Sequence, residues 1–169
     1  LVGSEMCIRD RCWVCLAEDD SGRRINGSVD IKYREGSIEV IEFMHSIEQP
    51  IDKFSGKITA KRICSTYAFM KEIDSSSSYL YKALCTGQTL KKAEFIFYRI
   101  NYNGLEEAYF KTTLENARVV QIEPLMFDIK LPRNERYTHC EYVDLTYEKI
   151  TWHYIDGNII HSDTWKERA

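Results

Sequence analysis

Three groups of residues have the types that reactions and metal sites use. Cys12 and Cys15 enclose Trp13 and Val14 as a C-x-x-C. Such a pair works as a redox dithiol, or as half of a zinc site, when both sulfurs emerge on one side of a turn or helix start. Trp and Val favour an extended strand instead, where residues three apart point to opposite faces and lie about 10 Å apart. No second C-x-x-C and no histidine pair at finger spacing completes a metal site. His139, Cys140 and Glu141 set an imidazole beside a thiol. Successive residues of a strand face opposite ways, so His139 is badly placed to activate Cys140. The plainer reading is a strand beginning with a polar edge. His153 and His161 flank Asp156 and Gly157, with Asp163 beyond. A three-residue loop would set the two imidazoles opposite each other, within reach of one zinc ion; other loop lengths separate them.

Signatures of other chemistries do not occur. There is no H-E-x-x-H, no phosphate-binding glycine loop, no G-x-S-x-G and no dinucleotide fingerprint. Acidic residues are scattered without a recognisable acid/base pair. The expectation is a protein that is not an enzyme, with no catalytic residue, cofactor or metal.

The chain has 169 residues, 44% of them hydrophobic and 29% charged, which fits one domain with a real core. A net charge of −3 argues against nucleic acid or an anionic membrane surface as partner. No apolar run approaches a membrane-spanning length. The N-terminus lacks the apolar stretch of a signal peptide, so any export is expected to use a route that does not read one. Six cysteines accompany this in a chain long enough to need no staples, and free buried thiols are the expected state. Residues 1–11, "LVGSEMCIRDR", share no period with the rest of the chain. They are expected to be an adapter-derived, non-native segment, leaving residues 12–169 as a single domain.

The elements that must position these residues are mostly strands. "CWVCLA" (12–17), "GSIEVIEFMHSIEQ" (36–49), "KITAKRIC" (57–64) and "TYAFMKEI" (66–73) read as extended pieces. Pro50 and Gly56 mark a break between the second and third of these. One helix stands out in "EIDSSSSYLYKALCTG" (72–87). Asp74 or a serine caps its start, Ile73 staples it, Leu80, Ala83 and Leu84 share a face, and Gly87 ends it. Lys91 and Lys92 read as a solvated or edge-protecting step before the apolar "AEFIFYRI". That strand carries Phe95 and Phe97 on one face and Ile96, Tyr98 and Ile100 on the other. Asn103 and Gly104 predict a hairpin, "LPRNERY" a polar excursion, and Asp156 with Gly157 the final turn. The class is mainly β with one short helix: a two-sheet sandwich or barrel with the helix alongside.

One stretch breaks the simple pattern. In residues 142–154 the apolar positions Val143, Leu145 and Tyr147 are odd, whereas Ile150, Trp152 and Tyr154 are even. A period of two cannot place both sets on one face of a single flat strand. Either a bulge near Glu148 and Lys149 restores the phase, or the strand buries first one face and then the other.

Eleven tyrosines, seven phenylalanines and three tryptophans sit mostly in strands. Strands with two apolar faces need more cover than one helix of about three turns supplies. Surplus aromatic surface of this kind builds protein–protein interfaces, so self-association is expected. A carbohydrate- or ligand-binding β-sandwich, with aromatics as sugar platforms, is the alternative; a thiol redox enzyme would rest on Cys12 and Cys15 alone.

Longer segments carry a family resemblance. "GSVDIKYREGSIEV" (27–40), "SGKITAKRIC" (55–64), "KEIDSSSSYLYKALCTGQTLKKAEFIFYRI" (71–100), "YFKTTLENARVVQIEP" (109–124) and "YEKITWHYIDGNIIHSDTWKER" (147–168) resemble the haemolysin-coregulated (Hcp) family, tube subunits of the bacterial type VI secretion system. The resemblance implies a β-barrel-like sandwich with one helix, assembled with copies of itself as a hexameric ring. Rings stack into a hollow tube, expelled by a contractile sheath behind a spike protein and able to carry effectors. It implies a subunit made in the cytoplasm and exported through the apparatus, here with no fused toxin domain. It also implies that the loop of Gln49, Pro50, Ile51, Asp52, Lys53, Phe54, Ser55 and Gly56 reaches toward adjacent subunits or rings. The phase change in 142–154 would then let one strand pack inside its own subunit and next against a neighbour.

Overall fold

The computed structural model describes residues 12–135 and 137–164, the first five of these by backbone alone. Residues 1–11, the side chains of Cys12 and Cys15, and Trp165 lie outside the described residues. The strands in chain order are β1 (Cys12–Glu18), β2 (Arg24–Ile25), β3 (Ile38–Met44), β4 (Ile47–Glu48), β5 (Ile63–Cys64) and β6 (Tyr67–Glu72). Helix α1 (Ser77–Thr86) comes next, then β7 (Thr89–Ile100), β8 (Glu106–Met126), β9 (His139–Thr146), β10 (Lys149–Tyr154) and β11 (Ile159–Thr164).

The main sheet closes on itself. Its order runs β8–β7–β1–β3–β6–β9, and β9 pairs again with β8, all antiparallel. Closure realises the barrel alternative and removes the unpaired edges an open sheet would expose. β10 and β11 extend from the first half of β8 as a hairpin outside the closed ring. Inside, Phe95, Leu114, Val143 and Leu145 lie in one core with Ile38, Tyr67 and Phe69. Phe95 packs against both Tyr67 and Phe69, with ring centroids 4.3 and 5.3 Å away.

The phase change of residues 142–154 is a corner shared by neighbouring strands. Tyr147 and Ile150 are both buried in the core, with Glu148 exposed between them. Opposite them on β8, Leu114 and Ala117 are both in the core across Asn116, which has φ +51°. On β7, Leu90 and Ala93 repeat the pattern across Lys91 and Lys92. The ladder keeps one register through the corner, from Arg118↔Thr146 to Glu115↔Lys149. The strands change face together, so the sheet turns without slipping. The expected bulge near Glu148 and Lys149 is therefore not found: the phase is restored by the corner itself, at Tyr147 and Glu148 between β9 and β10. The idea that this strand buries one face and then the other is corrected, because Val143, Leu145, Tyr147 and Ile150 share a single core. Lys91 and Lys92 are corrected too: they lie within β7, at the corner, and not before the strand.

Helix α1 inserts Leu80 and Ala83 into the core, with Leu84 packed at its margin. A buried leucine of this kind contributes roughly 1.5–3 kcal/mol. At the C-terminal end Gly87 takes φ +67°; its N–H donates to the Leu84 carbonyl, and that of Gln88 to the Ala83 carbonyl. The helix start is held by polar groups. Asp74 Oδ1 accepts from the N–H and hydroxyl of Ser76 at 2.9 and 2.5 Å, and its Oδ2 accepts from the Ser28 N–H at 3.1 Å. Ile73 is half exposed and does not staple the turn.

Below that turn lies a buried charge cluster with no sequence signal. Lys71 Nζ donates to Glu141 Oε1 at 2.8 Å and to Ser77 Oγ at 3.0 Å, and sits 3.0 Å from Asp74 Oδ1. Lys71 and Glu141 have no solvent exposure. Of "HCEYV", then, only His139 matches the polar edge expected there; Cys140 and Glu141 are fully buried.

Candidate assembly surface

Residues 45–66 leave the barrel between β3 and β6 as a hairpin arm. Its base pairs Ile47 with Cys64 and Glu48 with Ile63; further out, Ile51 bridges Ile58. The Thr59 N–H donates to the Pro50 carbonyl at 3.0 Å, and Gln49 Nε2 to the Ala60 carbonyl at 3.2 Å. At the tip the Asp52 carboxylate accepts from the N–H groups of Phe54 and Ser55 at 3.0 and 2.6 Å. Those hydrogen bonds, led by Ser55, hold the carboxyl below the usual aspartate range. Gly56 closes the turn at φ +67° and donates its N–H to the Asp52 carbonyl at 2.8 Å. The eight residue steps from Ser46 to Phe54 reach up to about 26 Å when extended.

The arm is built of hydrogen-bonded backbone carrying uncovered apolar side chains. Phe54 is as exposed as a free residue (102%), and Ile51, Ile58 and Ile63 are each more than half exposed. The expected extended pieces around it are shorter than their patterns implied. Residues 36–49 split at His45 into β3 and β4, and only Ile63 and Cys64 of 57–64 join a strand. Side chains that alternate need a second strand and a core to rest on, and the arm supplies only the first.

The arm's two roots sit against the β10–β11 hairpin. His45 Nε2 lies 2.8 Å from the Tyr147 hydroxyl, and its ring packs beside those of Tyr67 and Trp152. Burial among these rings pushes the imidazole below its ordinary pKa. At the other root, Arg62 forks onto the Asp163 carboxylate: Nε donates to Oδ2 at 2.8 Å and Nη2 to Oδ1.

The sequence-level candidates for chemistry are not brought together. The loop joining β10 to β11 has four residues, so Trp152 pairs with His161 and His153 with Ile160. His161 stacks on Trp152, with centroids 5.9 Å apart, while His153 lies on the next rung. The zinc geometry required a three-residue loop and is overturned. Cys140 is buried, and loss of hydration, followed by the charge of Glu72, pushes its thiol up, away from nucleophilic character. Among the described residues, no three His, Cys, Asp or Glu side chains are grouped to hold a metal ion. Nor is any described helix long and apolar enough to cross a membrane.

A closed antiparallel barrel with one flanking helix and a projecting arm defines the class. Residues 16–154 match the family model described as "Type VI secretion system effector, Hcp". The major exported protein of Pseudomonas aeruginosa PAO1 is 35% identical over 149 residues, covering 86% of this chain and 87% of that protein. A doubly substituted Hcp1 of Escherichia coli EAEC 042 is 52% identical, with a TM-score of 0.80 over 94% of this chain and 99% of that one. A secreted Hcp3 of Pseudomonas aeruginosa, 25% identical, superimposes with a TM-score of 0.71 over 93% of this chain and 99% of that one. The chain belongs to the Hcp family of the type VI secretion system. Its members are structural, secreted proteins.

Proposed function

We propose that this chain is a tube subunit: six copies close into a ring, and rings stack into a hollow tube. A contractile sheath drives the tube out behind a spike protein, and the lumen carries effectors. The subunit is made in the bacterial cytoplasm and leaves through the apparatus itself. Residues 49–56 are its contact with a neighbouring subunit or ring.

The observation that carries this reading is the arm of a chain in the Hcp family. Its backbone is ordered by its own hydrogen bonds while its isoleucines and Phe54 are offered to solvent. Apolar surface presented on a prepared scaffold favours docking, because the ordering cost has already been met. Negative-stain microscopy with native mass spectrometry tests it. Six-membered annular particles are expected, and a monodisperse monomer at tens of micromolar would overturn the reading. Phe54→Asp should keep the wild-type melting temperature, since Phe54 touches no core, and should lower the ring population.

A further inference from the structure

The β10–β11 hairpin lies outside the closed barrel, so the fold does not need it for closure. Its inward face nonetheless buries Ile150 in the core and, beside it, presents Trp152 and Asp163 to the two roots of the arm. Ile150 pairs with Asp163 and Trp152 with His161 on this face. His45, at the departing root of the arm, rests against Trp152 and hydrogen-bonds Tyr147 just before β10. Arg62, at the returning root, forks onto Asp163, whose side chain is only 14% exposed.

We infer that the β10–β11 hairpin is a bracket that holds the arm at a fixed angle, with Arg62 and Asp163 as positioning residues for assembly. A two-stranded arm joined to a barrel by two single strands swings about its roots. One root alone leaves a hinge; anchors at both leave none. The planar guanidinium suits this role, because two parallel hydrogen bonds to one carboxylate define direction as well as distance. An arm already aimed loses less conformational freedom when it docks. This inference rests on the reading of the arm as an assembly contact.

The test uses Arg62→Ala, Arg62→Lys, Asp163→Ala and the exchanged pair Arg62→Asp with Asp163→Arg. Hydrogen exchange of residues 49–60 reports arm order, and native mass spectrometry reports ring population. Both alanine variants are expected to raise arm exchange at least tenfold and to lower the ring population at matched concentration. Arg62→Lys, which keeps the charge and loses the fork, should fall between them and wild type; the exchanged pair should recover part of the protection. Unchanged arm exchange in Arg62→Ala overturns the bracket. Raised exchange with undiminished rings overturns its role in assembly. If wild-type protein forms no rings, the tube reading fails on its own, and arm exchange still decides whether the bracket exists.

Discussion

Lys71 and Glu141 face each other across β6 and β9 with Nζ and Oε1 2.8 Å apart, and water reaches neither side chain. Removing one member of such a pair leaves an uncompensated charge in a dry site, which costs about 3–5 kcal/mol. Lys71→Met, which leaves both Glu141 and Asp74 without their cation, should lower the unfolding free energy by that amount, and Glu141→Gln, which leaves Lys71 with Asp74, by less. The double variant Lys71→Met, Glu141→Gln should lose less than the sum, because Glu141 is no longer left charged without Lys71, and the loss that remains comes from Asp74, which still lacks its partner. Urea unfolding of all four proteins checks it; additive losses would show that the two residues act independently.

Asp74 ties three elements together, since the same carboxylate accepts from Ser28, receives the start of α1 through Ser76, and faces Lys71. Burial alone would raise its pKa; the hydrogen bonds from Ser76 and Lys71 overcome that and leave it lowered. The stability it contributes is therefore present above the unfolded value near 3.8 and lost as pH falls through the folded one. Asp74→Asn should flatten the acid limb of the stability profile, read as melting temperature between pH 5 and about 2.5.

His45 carries the opposite chemistry to the same pH direction. Its pKa is lowered by burial from an ordinary value of 6.5, so the folded protein prefers the neutral ring. The unfolded chain takes up the proton first, and stability falls as pH drops below 6.5 through the folded value. The groups around the ring are Tyr67, Tyr147 and Trp152, with His161 stacked on that indole. His45→Phe should remove this slope between pH 7 and 5 while keeping the packing, as followed by tryptophan fluorescence during urea unfolding.

Asn116 holds the left-handed conformation at the sheet corner and donates its side-chain N–H to Glu148 Oε2 at 3.0 Å. Asn116→Gly keeps the backbone and should cost less than about 1 kcal/mol. Asn116→Val forces a β-branched residue to positive φ and should cost about 1–2 kcal/mol more. A midpoint for the valine variant equal to that of the glycine variant would place the corner elsewhere.

Local signals in the sequence were readable where one residue type has one physical job. Gly87 ends the helix, Asn103 and Gly104 turn a hairpin, and Leu80, Ala83 and Leu84 bury the helix face as their spacing requires. The family resemblance and the arm between Pro50 and Gly56 were legible too. Barrel and sandwich stayed open on local pattern, because the return pairing of β9 with β8, which decides for the barrel, joins residues without any shared local signal. The corner was seen on one strand only. Its counterparts at Asn116 and at Lys91 are visible as phase changes, but only after the register aligns them. The meeting of Lys71 with Glu141 has no signal in the sequence, since nothing near either says they will pair 70 positions apart. Tyr98 looked like uncovered outer surface, yet Arg34 from the loop before β3 lies 3.5 Å over its ring.

Closure of the six-stranded ring has a kinetic meaning. Each of the six ring strands is already paired on both sides within its own subunit, so meeting a neighbour demands no unravelling of the ring. Growth of any polymer from such units is a matter of collision and fit. Its speed should climb with concentration, without the sluggish lag that exchange of secondary structure would impose.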